Sequence, residues 1–461
     1  MATVTHVVRA QPRLRALARE AKRTTRRTLR QWRRDAPARV LALAHALPLP
    51  TAVRLWLSHA FLWRRRMQWV PLRSVLLGGQ NGMTAAEFAK ATDNLLWPSQ
   101  RVVDGPHAAL IRAAGLSELT DEQILRSSYG ELARAGIATA GQYFGATDDA
   151  GIVAQARQFL AWSAGDDAAQ QSTGRASRRP LASAPGSPVL LAPLRDSDCY
   201  QVVDGHHRVA AWAASGAVGL KARIRRVPVT TPLQDVLDEM SWIGGERELY
   251  QPVQAPELDR SWRVVRRGTD RMERMTHLLD KLGLPGTGVE RGGRVPSYLD
   301  VASCYGWFLS HMAGLGFEVH GVERDELGSL LGATVYGLDP ACVTTGDARQ
   351  YLMTHDRRHD VVSCFSLLHH VLRDRGTDGG IEFVQLLDRS TRSVLFLDTG
   401  QAHEEWFRDT LGEWDDEHVR QFLLDNTTFD EVIDLGPDDD GVGHYAGNYG
   451  RHLFACVRWP R

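Results

Sequence analysis

The stretch SYLDVASCYGWFLSHMAGLGFEVHGVERD, residues 297–325, limits the fold more than any other part of this 461-residue chain. A short apolar run enters a tight turn, the turn opens an apolar helix over residues 307–313, and a second strand over 317–322 ends in Glu323. A helix that packs back on the strand before it, with another strand to follow, is the unit from which open parallel α/β sheets are built. Ligands of such sheets sit beyond the carboxyl ends of the strands. Glu323, closing the second strand, is placed to accept both hydroxyls of an adenosine ribose. TTGDARQYL sets Asp347 at the end of a third strand, within reach of an adenine amino group.

Further apolar runs continue the pattern: HDVVSCFSLLHH as a fourth strand, SVLFLDTG as a fifth, and FDEVIDLG with RHLFACVRW as a closing antiparallel pair. Residues 295–461 thereby resemble a class I S-adenosylmethionine-dependent methyltransferase. The family's glycine-rich first motif matches LDVASCYGW, with Asp300 and Gly306 retained and Ala302 and Cys304 where glycines are usual. Alanine suits the first of these if its φ stays negative, and Cys304 predicts a slightly wider turn. The resemblance implies a Rossmann-like seven-stranded sheet with S-adenosylmethionine held by Asp300, Ala302, Ser303, Gly306, Glu323, Asp347 and Ala348. A dinucleotide-binding fold would use Glu323 equally well; the closing hairpin argues for the methyltransferase. The implied chemistry is direct displacement at a sulfonium methyl, with His369 or His370 as the base for a hydroxyl acceptor. A histidine after this strand also serves to brace the loop, and that is the competing role for each. His403, Glu404 and His444 are secondary candidates on loops at the same sheet edge.

About a hundred residues earlier stands YQVVDGHHRVAAWAASG. A strand ends in Asp204-Gly205, and a helix starts near His206 with its unpaired N–H groups facing outward, an arrangement suited to phosphate. Arg208 adds a charge-assisted hydrogen bond and His207 a further donor. VVDGHHRVAAW resembles the phosphate-binding box of the ParB/sulfiredoxin-like superfamily, which implies a smaller α+β domain over 70–230. It also implies ATP or another nucleotide at Asp204, Gly205, His206, His207 and Arg208. His206 stands where the sulfiredoxins carry their reactive cysteine, so sulfinic-acid reduction is not expected; no helix-turn-helix follows, so chromosome partitioning is not either. Scaffolding, kinase-like and nucleotide-hydrolysing roles stay open. Arg223, Arg225 and Arg226 track an anion or form the solvent side of a strand.

Between and before these units the pattern is helical. Residues 231–294 are expected as a helical linker, with DRMERMTHLLDKLG capped by Asp270 and Glu273 and stopped at Gly283. Residues 163–188, low in apolar content, are expected as a loop. Residues 1–69 form a basic helical arm whose thin apolar seam suits a membrane surface or an anionic polymer, or equally a solvated tail. The apolar stretch 37–63 carries Pro48, Pro50, Arg39 and Arg54 and reads as two short helices, not a membrane span. With 43% hydrophobic and 24% charged residues and zero net charge, a soluble multidomain protein is expected. The five cysteines show no paired spacing, which speaks against a zinc ribbon or disulfide framework and for a cytoplasmic setting, peripheral to the inner membrane face if the arm binds there. The functional expectation is methylation of a glycan-type or small-molecule acceptor, with no metal. The alternatives are a nucleotide-sensing binding protein with a degenerate methyltransferase fold and, third, an RNA methyltransferase; the arm has few aromatics for base stacking, so nucleic acid is not expected as a partner.

Overall fold

The computed structural model describes residues 63–64, 66–80, 83–169, 188–240, 247–284, 294–405, 407, 411–446 and 450–459. The basic arm up to residue 62 lies outside them. The front unit is a five-stranded sheet of β1 (Gln68–Pro71), β2 (Val75–Leu76), β3 (Val189–Pro193), β4 (Tyr200–Asp204) and β5 (Gly219–Ile224), in the order β1-β5-β3-β4-β2. The pairing of β1 with β5 begins this unit slightly before residue 70. Helices α1 (Ala85–Ala91), α2 (Pro106–Leu116), α3 (Asp121–Arg126), α4 (Ser128–Ala140) and α5 (Asp149–Ala169) fill the chain between β2 and β3. They share one core with the sheet, Phe88, Leu110, Tyr129 and Phe159 packing with Val189 and Val202. Since α5 runs to Ala169, the first residues of the expected loop are helical, and 170–187 lie outside the described residues. α6 (His206–Ala214) follows β4.

The expected linker is mostly something else. α7 (Pro232–Glu239) begins with a capping box between Thr231 and Gln234. Residues 247–266 are largely irregular, holding only the short parallel strands β6 (Glu248–Leu249) and β7 (Arg263–Val264). α8 (Thr269–Lys281) belongs to the C-terminal unit, because its apolar stripe of Met272, Met275, Leu278 and Leu279 is buried against Tyr298, Trp307, Phe308 and Met312. The expected Asp270–Glu273 cap is not formed. Gly268 is the N-cap, and the N–H groups of Asp270 and Arg271 donate to the Asp440 carboxylate at 2.9 and 3.2 Å.

The C-terminal unit is a seven-stranded sheet. It comprises β8 (Ser297–Val301), β9 (Glu318–Glu323), β10 (Val343–Thr345), β11 (His359–Cys364), β12 (Thr391–Leu397), β13 (Glu431–Pro437) and β14 (His452–Val457). Their order is β10-β9-β8-β11-β12-β14-β13. The first five run parallel, and β14 enters antiparallel between β12 and β13. Every residue of β8 is buried, as the central strand of a sheet covered on both faces requires. Helices α9 (Trp307–Gly314), α10 (Glu326–Tyr336), α11 (Ala348–Thr354), α12 (Leu368–Ser390) and α13 (Asp416–Asn426) connect the strands. Among the described residues no helix is long and apolar enough to cross a membrane.

Candidate functional site

The loop leaving β8 turns within five residues, and three of them take left-handed backbone: Ala302 at φ 65°, Cys304 at 55° and Gly306 at 81°. The negative φ expected for Ala302 is therefore wrong, and Cys304 does not widen the turn but enters the same region. The cause is the closure of the turn on β9: the N–H groups of Ala302 and Ser303 both donate to Val322 O, at 2.9 and 3.1 Å. Left-handed backbone costs an L-residue about 1–2 kcal/mol, so this loop holds strain at two positions. α10 approaches it closely through Gly328 and Gly332, where a side chain would meet Cys304 O at 2.8 Å and Tyr305 O at 2.7 Å.

Around this loop the acids stand at the strand ends. Asp300 is 2% exposed; Ser363 Oγ donates to its Oδ1 at 2.6 Å, and its Oδ2 has no hydrogen-bond partner among the described residues. Burial, with the nearby Glu323 charge, pushes its pKa up to about 7. Glu323 receives the N–H of Cys304 at 2.7 Å and that of Asp325 at 2.9 Å, one on each oxygen, while burial raises its pKa. Asp347 is exposed and caps α11, accepting the Gln350 N–H at 2.9 Å, with Ala348 the first residue of that helix. Ser303 is buried, and its hydroxyl also has no partner among the described residues. Asp300, Ser303, Gly306 and Glu323 thus converge on one turn, and Asp347 and Ala348 stand at the neighbouring strand end.

The two histidines after β11 divide. His369 is buried, and its Nδ1 accepts the Gly400 N–H at 3.0 Å. The bond fixes the neutral tautomer, and burial pushes the pKa down to about 2. With that lone pair engaged, His369, expected as a base, has no free lone pair left to take a proton. His370 is exposed, its pKa lowered by partial desolvation and by Arg373. Glu404, expected as a secondary candidate on a loop, is fully buried in a two-bond pair with Arg451, at 2.7 and 2.9 Å. The His444 side chain lies outside the described residues. His403 lines a cleft of about 500 Å³ at the carboxyl edge of the sheet, together with Gln401, Asp415, Asp416 and His452. His452 Nδ1 lies 2.7 Å from Asp434 Oδ2.

Three further features were missed in the sequence. Gln251, 8% exposed, reaches the β8 loop from the irregular segment: its Oε1 accepts the N–H groups of Tyr305 and Trp307, both at 3.0 Å, and its Nε2 donates to Ser303 O at 3.2 Å. Ser366, at φ 57°, donates its N–H to Asp398 Oδ1 at 2.7 Å. The donors of Tyr250, Arg266 and Arg451 stand 2.5, 3.1 and 2.8 Å from its hydroxyl oxygen, which can accept from two of them at a time. Beneath it lies an interior ion network, in which Arg266 and Arg271 each meet Asp438 at 2.6 Å and Arg271 also pairs with Asp398. In the sequence Asp438–Asp440 is an acidic run, and the arginines that pair with it stand about 170 residues earlier, so no local signal marks the network.

In the front unit, Gly205 at φ 102° starts α6 with no side-chain cap. His206 is buried with Nε2 2.8 Å from Leu77 O, and burial pushes its pKa down to about 4. His207 lies 4.6–4.7 Å, between ring centres, from His107, Phe144 and Phe159, and desolvation lowers its pKa. His207, expected to donate to a phosphate, is half-buried and packs against aromatic residues of α2, α5 and the loop before α5. Arg208 stays beside Asp204 at 3.2 Å. In the adjoining loop Gln80 is 1% exposed, and neither atom of its amide has a partner among the described residues.

No protein-family model matches this chain, and no curated protein matches it. Among solved structures the chain is similar to the bifunctional kinase-methyltransferase WbdD, at 17% identity over 49% of this chain and 46% of that one, with a TM-score of 0.38. It is also similar to a SAM-dependent methyltransferase from Archaeoglobus fulgidus, at 15% identity over 41% of this chain and 97% of that one, TM-score 0.28. A third is magnesium protoporphyrin IX methyltransferase (ChlM) from Synechocystis PCC 6803 with bound SAM, at 15% identity over 41% and 82%, TM-score 0.27. The match spans less than half the length of WbdD.

Proposed function

We propose that the chain is an S-adenosylmethionine-dependent methyltransferase acting on a hydroxyl of a glycan-type or small-molecule acceptor. The observation that carries this reading is the sheet order with β14 antiparallel between β12 and β13, joined to an acid closing β9 within 2.7 Å of the β8 loop. The residues fit an adenosyl cofactor in charge and place. Asp300 Oδ2 and Ser303 Oγ are buried polar atoms with no partner among the described residues, and each Glu323 oxygen, holding one N–H, retains acceptor capacity for a ribose hydroxyl. When bound, S-adenosylmethionine supplies an electrophilic methyl for direct displacement. Glu323 and Asp347 orient the nucleoside from the ends of β9 and β10, and Asp300 sets the loop from below. His369 braces Gly400, His370 takes the proton, and the polar cleft at His403, Asp416 and His452 receives a hydroxylated acceptor.

The test is isothermal titration of S-adenosylmethionine and S-adenosylhomocysteine into wild type and Glu323→Ala. Micromolar binding that the variant loses is expected; absence of binding to wild type would remove the reading and leave the nucleotide-sensing alternative.

A second reading concerns the front unit, which we propose holds the phosphate of ATP or another nucleotide at Asp204–Arg208. The start of α6, which has no side-chain cap, and the buried Gln80 amide, which has no partner among the described residues, support it. Here Arg208 and the helix N–H groups are the binding elements, and the two histidines shape the turn. Binding of ATP or ADP to wild type that is lost in Arg208→Ala is the expected result. Contact of the arm with an anionic membrane surface stays a separate proposal.

A further inference from the structure

We propose that Gln251 is the positioning residue of the cofactor loop, an assignment that rests on the methyltransferase reading and names a part of its site outside the sheet. Six consecutive N–H groups, residues 302–307, need partners in that loop. Four find them within the sheet unit: Ala302 and Ser303 at Val322 O, Cys304 at Glu323, and Gly306 at Ser303 O. The remaining two, of Tyr305 and Trp307, both converge on Gln251 Oε1, while Gln251 Nε2 returns to Ser303 O. One amide therefore ties the middle of the turn to the first residue of α9.

The chemistry requires glutamine. Two N–H donors face one atom of the amide, which must be the oxygen, and a carbonyl faces the other, which must be the nitrogen. Glutamate would set a second acceptor against Ser303 O, and an apolar residue would leave two buried N–H groups unpaired.

The residue is itself held on both sides. Tyr250 donates to Ser366 beyond β11, and Tyr336 of α10 donates to Pro252 O. Around it Leu249, Val253 and Leu258 form a core with Tyr305 and Leu331. A strained backbone persists only when its surroundings over-determine it. Left-handed Cys304 lies on the span from Ser303 to Trp307 that Gln251 closes, and left-handed Ala302 immediately precedes it, so the loop can carry Cys304 in place of a glycine because this side chain fixes it from outside.

The experiment compares the full-length wild type with Gln251→Met in two measurements: titration with S-adenosylhomocysteine, and amide hydrogen exchange of the peptide spanning 302–308. Affinity lower by at least about tenfold, with exchange at Tyr305 and Trp307 faster by a similar factor, is expected from the loss of these bonds. Affinity within twofold of wild type overturns the assignment. If wild type itself does not bind, the methyltransferase reading fails, and unchanged exchange then also overturns the clamp. Should Gln251→Met not fold, Gln251→Glu keeps the acceptor for Tyr305 and Trp307 and turns an acceptor toward Ser303 O in place of the donor. It is expected to fold and to bind S-adenosylhomocysteine more weakly than wild type; affinity equal to wild type again overturns the proposal.

Discussion

Replacing Asp300 with asparagine should make the C-terminal unit more stable at alkaline pH and, on the proposed methyltransferase reading, less able to bind S-adenosylmethionine. In the unfolded chain an aspartate titrates near 3.9; in the fold, burial moves Asp300 up to about 7. The folded state thus holds the proton more tightly than the unfolded state. Its contribution to stability is complete below about pH 4, falls as pH rises, and is gone above about pH 7. Carrying the group over that range costs the folded state about 4 kcal/mol as an order of magnitude. Asparagine does not titrate and keeps an acceptor for the Ser363 hydroxyl, which now donates at 2.6 Å. Other raised acids, Asp440 at about 6 and Glu323, act in the same window, so the informative quantity is the difference between variant and wild type at each pH.

The assay is urea denaturation of the full chain between pH 4.5 and 8.5, read through hydrogen exchange in peptides from β8 and β11. This reads the C-terminal unit by itself in a protein of more than one core. Near pH 4.5 the two proteins should differ by roughly 1 kcal/mol or less, and near pH 8 the variant should be the more stable by about 3–4 kcal/mol. A difference that does not change with pH refutes the reasoning, because the raised pKa is its sole source. S-adenosylhomocysteine should stabilise wild type and not Asp300→Asn, since an acid that weakens its own strand is retained where a ligand offsets the cost.

Two further outcomes follow from the strained turn and the ion network. Ala302→Gly should raise stability by about 0.5–1 kcal/mol, since relief of left-handed strain exceeds the entropy glycine adds to the unfolded chain; thermal unfolding of the variant checks it, and a lowered midpoint would mean the turn relaxes in solution. Arg451→Met leaves the fully buried Glu404 without its guanidinium and should cost about 3–5 kcal/mol. Adding Glu404→Gln should recover most of that loss, and a double-mutant cycle with additive losses would argue against the pair.

What the sequence makes legible here is whatever repeats along the chain. The strands read as apolar runs, and their acids fell at strand ends because a parallel sheet sets every carboxyl end on one edge, so Asp300, Glu323 and Asp347 could be placed in advance. The dihedrals of Ala302 could not, since they are set by Val322 O, on the next strand and some 20 residues away. His206 and His207 looked like phosphate ligands by residue type and neighbourhood. Their real surroundings come from Leu77, His107, Phe144 and Phe159, which no local pattern brings together. Gln251 is the extreme case: a polar residue in an irregular segment has no period to reveal its face, and its partners lie more than 50 residues on. The same reasoning orders the whole site. Its glycine-poor turn conflicts locally with the fold, and such conflicts persist where distant groups enforce them. Here those groups are Val322, Glu323 and Gln251, so the segment between the two sheets is as much a part of the turn after β8, where the cofactor is proposed to bind, as β8 itself.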